Sequence, residues 1–266
     1  MTAAERLAAI LVWTMAGFAA IFLLTPLAVT VAVSFGSSTV FTLPPPSWSL
    51  RWYQQLPSTR GLWPSLATSV EIATLSTLIS LVLGTLCALA LVRGRLRRRE
   101  AVANFLVSPL MLPGLVIGIA MLQAFRGMGL RDVHASLIVA HVVITLPFVV
   151  RTVLGALSLY DFTLIDAART LGLSYPQALR KVLVPPLAPA FLTSGMFAFL
   201  ASMDNYPISI FFTDAWTKTL PIQMLQYVEE RPDPTIAAIS AGLIVLAILV
   251  LVAGDRLVGL RRLAEF

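Results

Sequence analysis

Long apolar runs alternate with short polar connectors along the chain. Six stretches of about 20 residues or more are nearly free of charge: Ala9–Val33, Ser65–Val92, Val102–Phe125, Ala135–Leu157, Pro189–Phe212 and Thr235–Val258. Their apolar residues form continuous blocks, not the one-sided stripe of a soluble helix. Each block can cross about 30 Å of hydrocarbon at about 1.5 Å per residue. The pattern therefore predicts an all-α polytopic membrane protein with six transmembrane helices in a single transmembrane domain over 1–266. The first run, Leu7 to Val33, exceeds the core of a cleaved secretory signal, about 7–15 residues, and only Arg6 precedes it. It is read as an uncleaved first span.

The polar connectors fall into two sets. One carries Arg6, then Arg93, Arg95, Arg97, Arg98 and Arg99, then Arg169, Arg180 and Lys181, then Arg256, Arg261 and Arg262. The other carries Arg51, Arg60, Arg126, Arg131, Lys218 and Arg231, and Arg151 lies near the end of the fourth span. Basic residues concentrate on the cytoplasmic side of membrane proteins. The bias of twelve to six places both termini, the 93–100 turn and the 158–187 loop in the cytoplasm. In the outer segment 34–64, Trp48, Trp52 and Tyr53 suit an aromatic belt at the headgroups, on a short interfacial helix.

Composition agrees with this reading. The chain is 58% hydrophobic and 12% charged, with mean hydropathy +0.88 and a pI near 10.1. A basic pI can mark nucleic-acid binding, but here the charge sits beside spans and no soluble basic domain exists to hold a nucleic acid. The lone cysteine, Cys87, lies in an apolar run and excludes a disulfide within the chain. No cluster has zinc-ligand spacing and no catalytic triad is present.

The loop between the fourth and fifth spans is the most structured connector, reading DAARTLGLSYPQALRKVLVP from Asp166 to Pro185. Thr163 and Asp166 match a capping-box spacing, as do Ser174 and Gln177, with Pro176 in the first turn of the second helix. Gly172 can end the first helix in the left-handed conformation. Pro185, Pro186 and Pro189 are expected to end the second helix and lead back into the membrane. The loop is thus helix, glycine turn, helix: a knob for a partner's groove, or a solvated connector, which composition alone favours.

These residues resemble the permease subunit of an ATP-binding-cassette importer. The family's Glu-Ala-Ala, three residues, Gly, nine residues, Ile-x-Leu-Pro pattern stands here as Asp166-Ala167-Ala168, Gly172 and Val182-Leu183-Val184-Pro185. The departures are Asp for Glu, Val for Ile and Val for Leu. The likeness extends through LLTPLAVTVAVSFGSS, SLRWYQQL, SLATSVEIATLSTLISLVLGTLCALAL, SPLMLPGLVIGIAML and SMDNYPISIFF. It is strongest toward the second permease of the polyamine (spermidine/putrescine) branch. The resemblance implies a multi-pass protein of a bacterial-type inner membrane that is not itself an enzyme. It implies a heterodimer with a second homologous permease, a cytoplasmic ABC ATPase dimer that binds ATP and Mg, and an extracytoplasmic solute-binding protein. Asp166, Ala167, Ala168, Gly172, Val182 and Pro185 would couple the permease to the ATPase. No GxxxxGK[ST] sequence occurs here, so the ATPase is another polypeptide. The same skeleton serves importers of iron(III), thiamine and phosphonates. An ion-coupled secondary transporter and an intramembrane enzyme are the readings outside this class.

Carboxylates at membrane depth are costly and face a cavity, a partner or a paired charge. Glu71 in the second span and Asp204 in the fifth are the candidates to line a cation path, with Asn205 and Tyr206 beside Asp204. The opposing reading is an internal pair, with Arg151 or an arginine of a partner, and it is preferred for Glu71. Pro207 is placed to break the fifth helix and free backbone carbonyls. Gly114 and Gly118 form a GxxxG for close helix packing, and His141 is read as a satisfied core histidine.

Overall fold

A computed structural model describes residues 2–94 and 96–258. Of the basic residues used for sidedness, Arg95, Arg261 and Arg262 lie outside the described residues. The chain divides into two compact units. One comprises the residues up to Arg60 with Met224–Ile248, and the other comprises Gly61–Gln223 with the residues from Leu249.

In the first unit, helix α1 (Ala3–Ser34) opens on a capping box between Thr2 and Glu5. Its 32 residues span about 48 Å. Its most apolar stretch has hydropathy 2.4, and none of that stretch is buried within the chain. Such a surface is stable only against lipid or another membrane helix. Past α1 the chain turns back, pairing Gly36 with Trp48, into the short helix α2 (Arg51–Gln55). Trp52 does not join an aromatic belt. It is 2% exposed, and its indole N–H donates to the Gly36 carbonyl at 2.7 Å. Tyr53 shares a hydrogen bond with Ser34 at 2.7 Å, so Trp48 alone of the three keeps a fully exposed ring. Two of the expected belt residues lock the loop because their N–H and O–H reach backbone and side-chain partners.

The second unit is built on α3 (Leu62–Arg93), α6 (Val133–Ser158) and α9 (Val184–Met203), each packed against the other two. Small residues let them approach closely: Ser76, Ser80, Gly84 and Ala88 recur every fourth residue and are buried on α3. A Cβ on Gly84 would stand 2.8 Å from Val149 Cγ1 of α6.

The expected third span, 102–125, is not straight. It is α4 (Arg99–Val107), a tight 3₁₀ turn at Ser108–Met111, and α5 (Gly114–Gly127), bent by 109°. Pro109 and Pro113 remove N–H donors, and Leu112 before Pro113 is extended, at φ −96° and ψ 145°. At about 14 and 21 Å, neither arm crosses a membrane alone. Among the described residues there are thus five helices long and apolar enough to span, and a sixth if the bent pair counts as one.

The expected fifth span, 189–212, is displaced. Helix α7 (Thr163–Thr170) is followed by α8 (Tyr175–Ala178), a π turn at Leu179–Leu183, and α9, continuous from Tyr175 to Met203. The prolines therefore do not end the second loop helix. Val184 N–H bonds five residues back to the Leu179 carbonyl. This wider turn accepts Pro185 and Pro186 at the start of α9, where missing donors cost least. The helix instead stops at Asp204, and α10 (Tyr206–Ser209) follows the break. Two further helices are α11 (Leu220–Glu230) and α12 (Thr235–Val258), the latter matching the expected sixth span.

Candidate functional site

Two places carry the residues singled out from the sequence. The first is the α7–α8 loop. The expected Thr163–Asp166 box does not form, because Thr163 is already helical. Its N–H donates instead to Asp161 Oδ1 at 2.9 Å. The Thr163 hydrogen bonds hold the Asp161 carboxyl below its ordinary range. This cap is therefore fully present above that range and lost as pH falls through the lowered value. At the far end Gly172 has φ +92°. Gly172 N–H bonds the Arg169 carbonyl at 3.0 Å and Leu173 N–H bonds the Ala168 carbonyl at 3.2 Å, closing a Schellman motif. The second capping box forms as expected, with Ser174 N–H on Gln177 Oε1 at 3.0 Å.

The motif residues lie on one body, some in contact and some exposed. Asp166 faces Arg93, at the end of α3, at 3.8 Å. Arg93 also lies over the Phe162 ring, 5.0 Å from its centroid. Ala168 is buried with Ile165, Leu157, Ala178 and Leu183, so it belongs to the knob's own core. Ala167 is exposed, as are Leu164 and Leu171, at 51% and 86%. The Val182 carbonyl accepts from the Tyr160 hydroxyl at 3.2 Å, and Pro185 is exposed in the first turn of α9. The loop is thus tied to the ends of α3 and α9, and its outer face shows two leucines and an alanine at helical spacing. Sequence reading missed Arg93, which it counted only as a topology anchor. Its partner lies 73 positions away in the chain, beyond any local pattern.

The second place is the break between α9 and α10. Asp204 caps α9 and is exposed. Its carboxylate has no ion pair among the described residues. Asn205 accepts the Ile208 N–H at 3.1 Å and so caps α10, while Tyr206 is half-buried at its first position. The GxxxG of α5 packs here: Cβ atoms on Gly114 and Gly118 would stand 2.9 Å from Pro207 Cβ and 2.4 Å from Phe211 Cδ2. Glu71 is not brought to this break. It pairs with His134 at the start of α6, at 3.2 Å, and not with Arg151. A cleft of about 480 Å³ beyond α10 is lined by Leu122, Phe125, Arg126, Arg131 and Phe212 and has no carboxylate. It is unsuited to a cation.

His141 in α6 is 1% exposed and fully bonded, to Ser202 Oγ at 2.7 Å through Nδ1 and to Ser209 Oγ at 3.0 Å through Nε2.

The family model of the binding-protein-dependent transport system inner membrane component matches residues 80–260. The spermidine/putrescine transport system permease protein PotC of Escherichia coli (strain K12) is 30% identical over 234 residues, 88% of each chain. The putrescine transport system permease protein PotI of the same strain is 28% identical over 230 residues, covering 82% of this chain and 80% of that one. Among solved structures, a chain of a bacterial ABC transporter involved in import of the acidic polysaccharide alginate matches with TM-score 0.69 and 18% identity, over 97% of this chain and 98% of that one. That likeness concerns the fold. The apolar helices, the small-residue packing and the family match converge on one conclusion: the chain belongs to the binding-protein-dependent transport system inner membrane components, as a multi-pass permease subunit of a bacterial inner membrane.

Proposed function

We propose that the chain is one permease of a heterodimeric ATP-driven importer and that its solutes are polyamine cations. The observation that carries the solute class is the 30% identity over 88% of both chains to a spermidine/putrescine permease. An exposed carboxylate at the Asp204 break, without an ion pair among the described residues, supports it. A carboxylate beside a low-dielectric wall attracts a cation several-fold more strongly than it would in water. The cleft beyond α10 is lined with arginine, so the path is assigned to the space between Asp204 and the second permease.

An extracytoplasmic binding protein delivers the solute, and a cytoplasmic ATPase dimer holding ATP and Mg receives the α7–α8 knob. The exposed ridge Leu164, Ala167 and Leu171 seats in its groove. Because Arg93–Asp166, Tyr160–Val182 and the shared apolar cluster tie the knob to α3, α6 and α9, moving the knob moves these helices together. Closure of the ATPase dimer then biases two states of the permease pair.

Reconstitution of the permease pair with its ATPase and binding protein tests the proposal. ATP-dependent uptake of labelled spermidine or putrescine is expected. Uptake without ATP would make the chain a secondary transporter. ATP-dependent uptake of iron(III), thiamine or a phosphonate instead would overturn the solute class and leave the importer intact.

A further inference from the structure

The break at Asp204 is bracketed by two buried serines, Ser202 in the last turn of α9 and Ser209 in α10, at 4% and 1% exposure. Both bond to one side chain on a different helix, His141 of α6, through its two ring nitrogens at 2.7 and 3.0 Å. Nothing in the coupling or solute reading uses this histidine.

Counting hydrogens assigns the ring. Ser209 Oγ lies 2.5 Å from the Asn205 carbonyl oxygen. A carbonyl cannot donate, so the Ser209 hydrogen sits in that contact, and Ser209 can only accept from His141. Nε2 therefore carries a hydrogen. No carboxylate is among the partners of this buried ring, so it is neutral. Nδ1 is then an acceptor, and Ser202 donates to it. Ser76 of α3 completes the chain, 3.3 Å from Ser202 Oγ. Ser76 also lies 3.2 Å from the Ala73 carbonyl oxygen, so its one hydrogen serves either that carbonyl or Ser202, and the assignment of the ring does not depend on which. Exchanging the ring tautomer would set two acceptors, Nε2 and Ser209 Oγ, face to face.

We propose that His141 is a positioning residue: it ties α9 to α10 across the break and fixes where the Asp204 carboxylate is presented. Its use in transport rests on the solute reading above, but its geometry does not. The Nε2–H bond to Ser209 reaches past the break, whereas the Nδ1 bond secures only the helix before it. The two amide replacements are therefore unequal. His141→Gln can place a donor near Ser209, while His141→Asn can place only an acceptor near Ser202.

The test uses the assembled, detergent-purified complex in a Cys87→Ala background, with cysteine at position 204 and, as a control, at exposed Ser58. The rate of reaction with a small cationic thiol reagent is measured. His141→Phe keeps a planar ring but loses both bonds, and the rate at 204 is expected to change about tenfold, the equivalent of one to two hydrogen bonds. The rate at 58 stays fixed. His141→Gln should stay near the parent and His141→Asn should follow Phe. Equal rates at 204 in the parent and in Phe would overturn the proposal. If the Phe variant does not assemble, equal rates for Gln and Asn would do so. Uptake by Asp204→Asn is measured separately. Normal uptake there would remove the cation path and leave the labelling pattern standing.

Discussion

Arg93 meets Asp166 at 3.8 Å and covers Phe162 at 5.0 Å from the ring centroid. The ion pair is half-exposed, so its worth is about 0–1 kcal/mol at most. The planar guanidinium adds stacking that a lysine cannot reproduce. Arg93→Ala is therefore expected to leave the melting temperature of the complex nearly unchanged, while lowering solute-stimulated ATP hydrolysis. Arg93→Lys should recover the charge contact and only part of the stimulation. If both variants hydrolyse ATP as the parent does, Arg93 has no part in holding the knob. At this scale the sequence disclosed residues whose role is local: Gly172 in its turn and the Ser174–Gln177 box. It did not disclose Arg93 or Trp52. A charged residue in a basic cluster, or a tryptophan at a membrane edge, has the same letters whether it anchors or pairs, and the partner is set by folding. Asp204 was legible as costly. That no residue described in this chain neutralises it was not.

Helix composition predicted where the chain is helical better than where helices stop. The second, fourth and sixth spans fall within a few residues of α3, α6 and α12. The third and fifth do not, and proline explains both errors in opposite directions. Pro109 and Pro113, four apart and followed by glycine, break α4 from α5 by 109°. Pro185 and Pro186 do not break α9, because the π turn before them moves the hydrogen-bond register. Two elements can be tested by their glycines. Gly172 has open space around a would-be Cβ and φ +92°. Gly172→Ala should therefore cost only backbone strain, about 1–2 kcal/mol, and weaken coupling in part. Gly172→Pro cannot adopt this φ and also loses the N–H bond to Arg169, so it should uncouple ATP hydrolysis from solute with the complex still assembled. Gly118 is the opposite case. A Cβ there would stand 2.4 Å from Phe211 Cδ2, so Gly118→Ala should lower the melting temperature through overpacking, about 1–3 kcal/mol. An unchanged melting temperature would mean that the α5–α10 contact is looser than this spacing requires.

For the molecule as a whole, the open question of orientation is one of charge. Helix α1 shows an apolar surface with none of its most apolar stretch buried, which fits a helix in a bilayer or against another subunit but does not set which end is inside. The arginine bias carries the expectation. The twelve basic residues beside one set of connectors outnumber the six beside the other, and each costs about 2.5–3.5 kcal/mol to hold at the centre of a membrane. The knob at 163–178 is expected on the richer side, within reach of an ATPase. Cysteines placed at Ser49 and Asp233 in a Cys87→Ala protein should then react with an impermeant reagent added to intact cells. Cysteines at Arg98 and Ser174, both exposed on the chain, should react only after the membrane is opened. The reverse pattern would put the knob outside, where no ATP is bound. It would remove the coupling assignment of Asp166 to Pro185 in one step, whatever the solute proved to be.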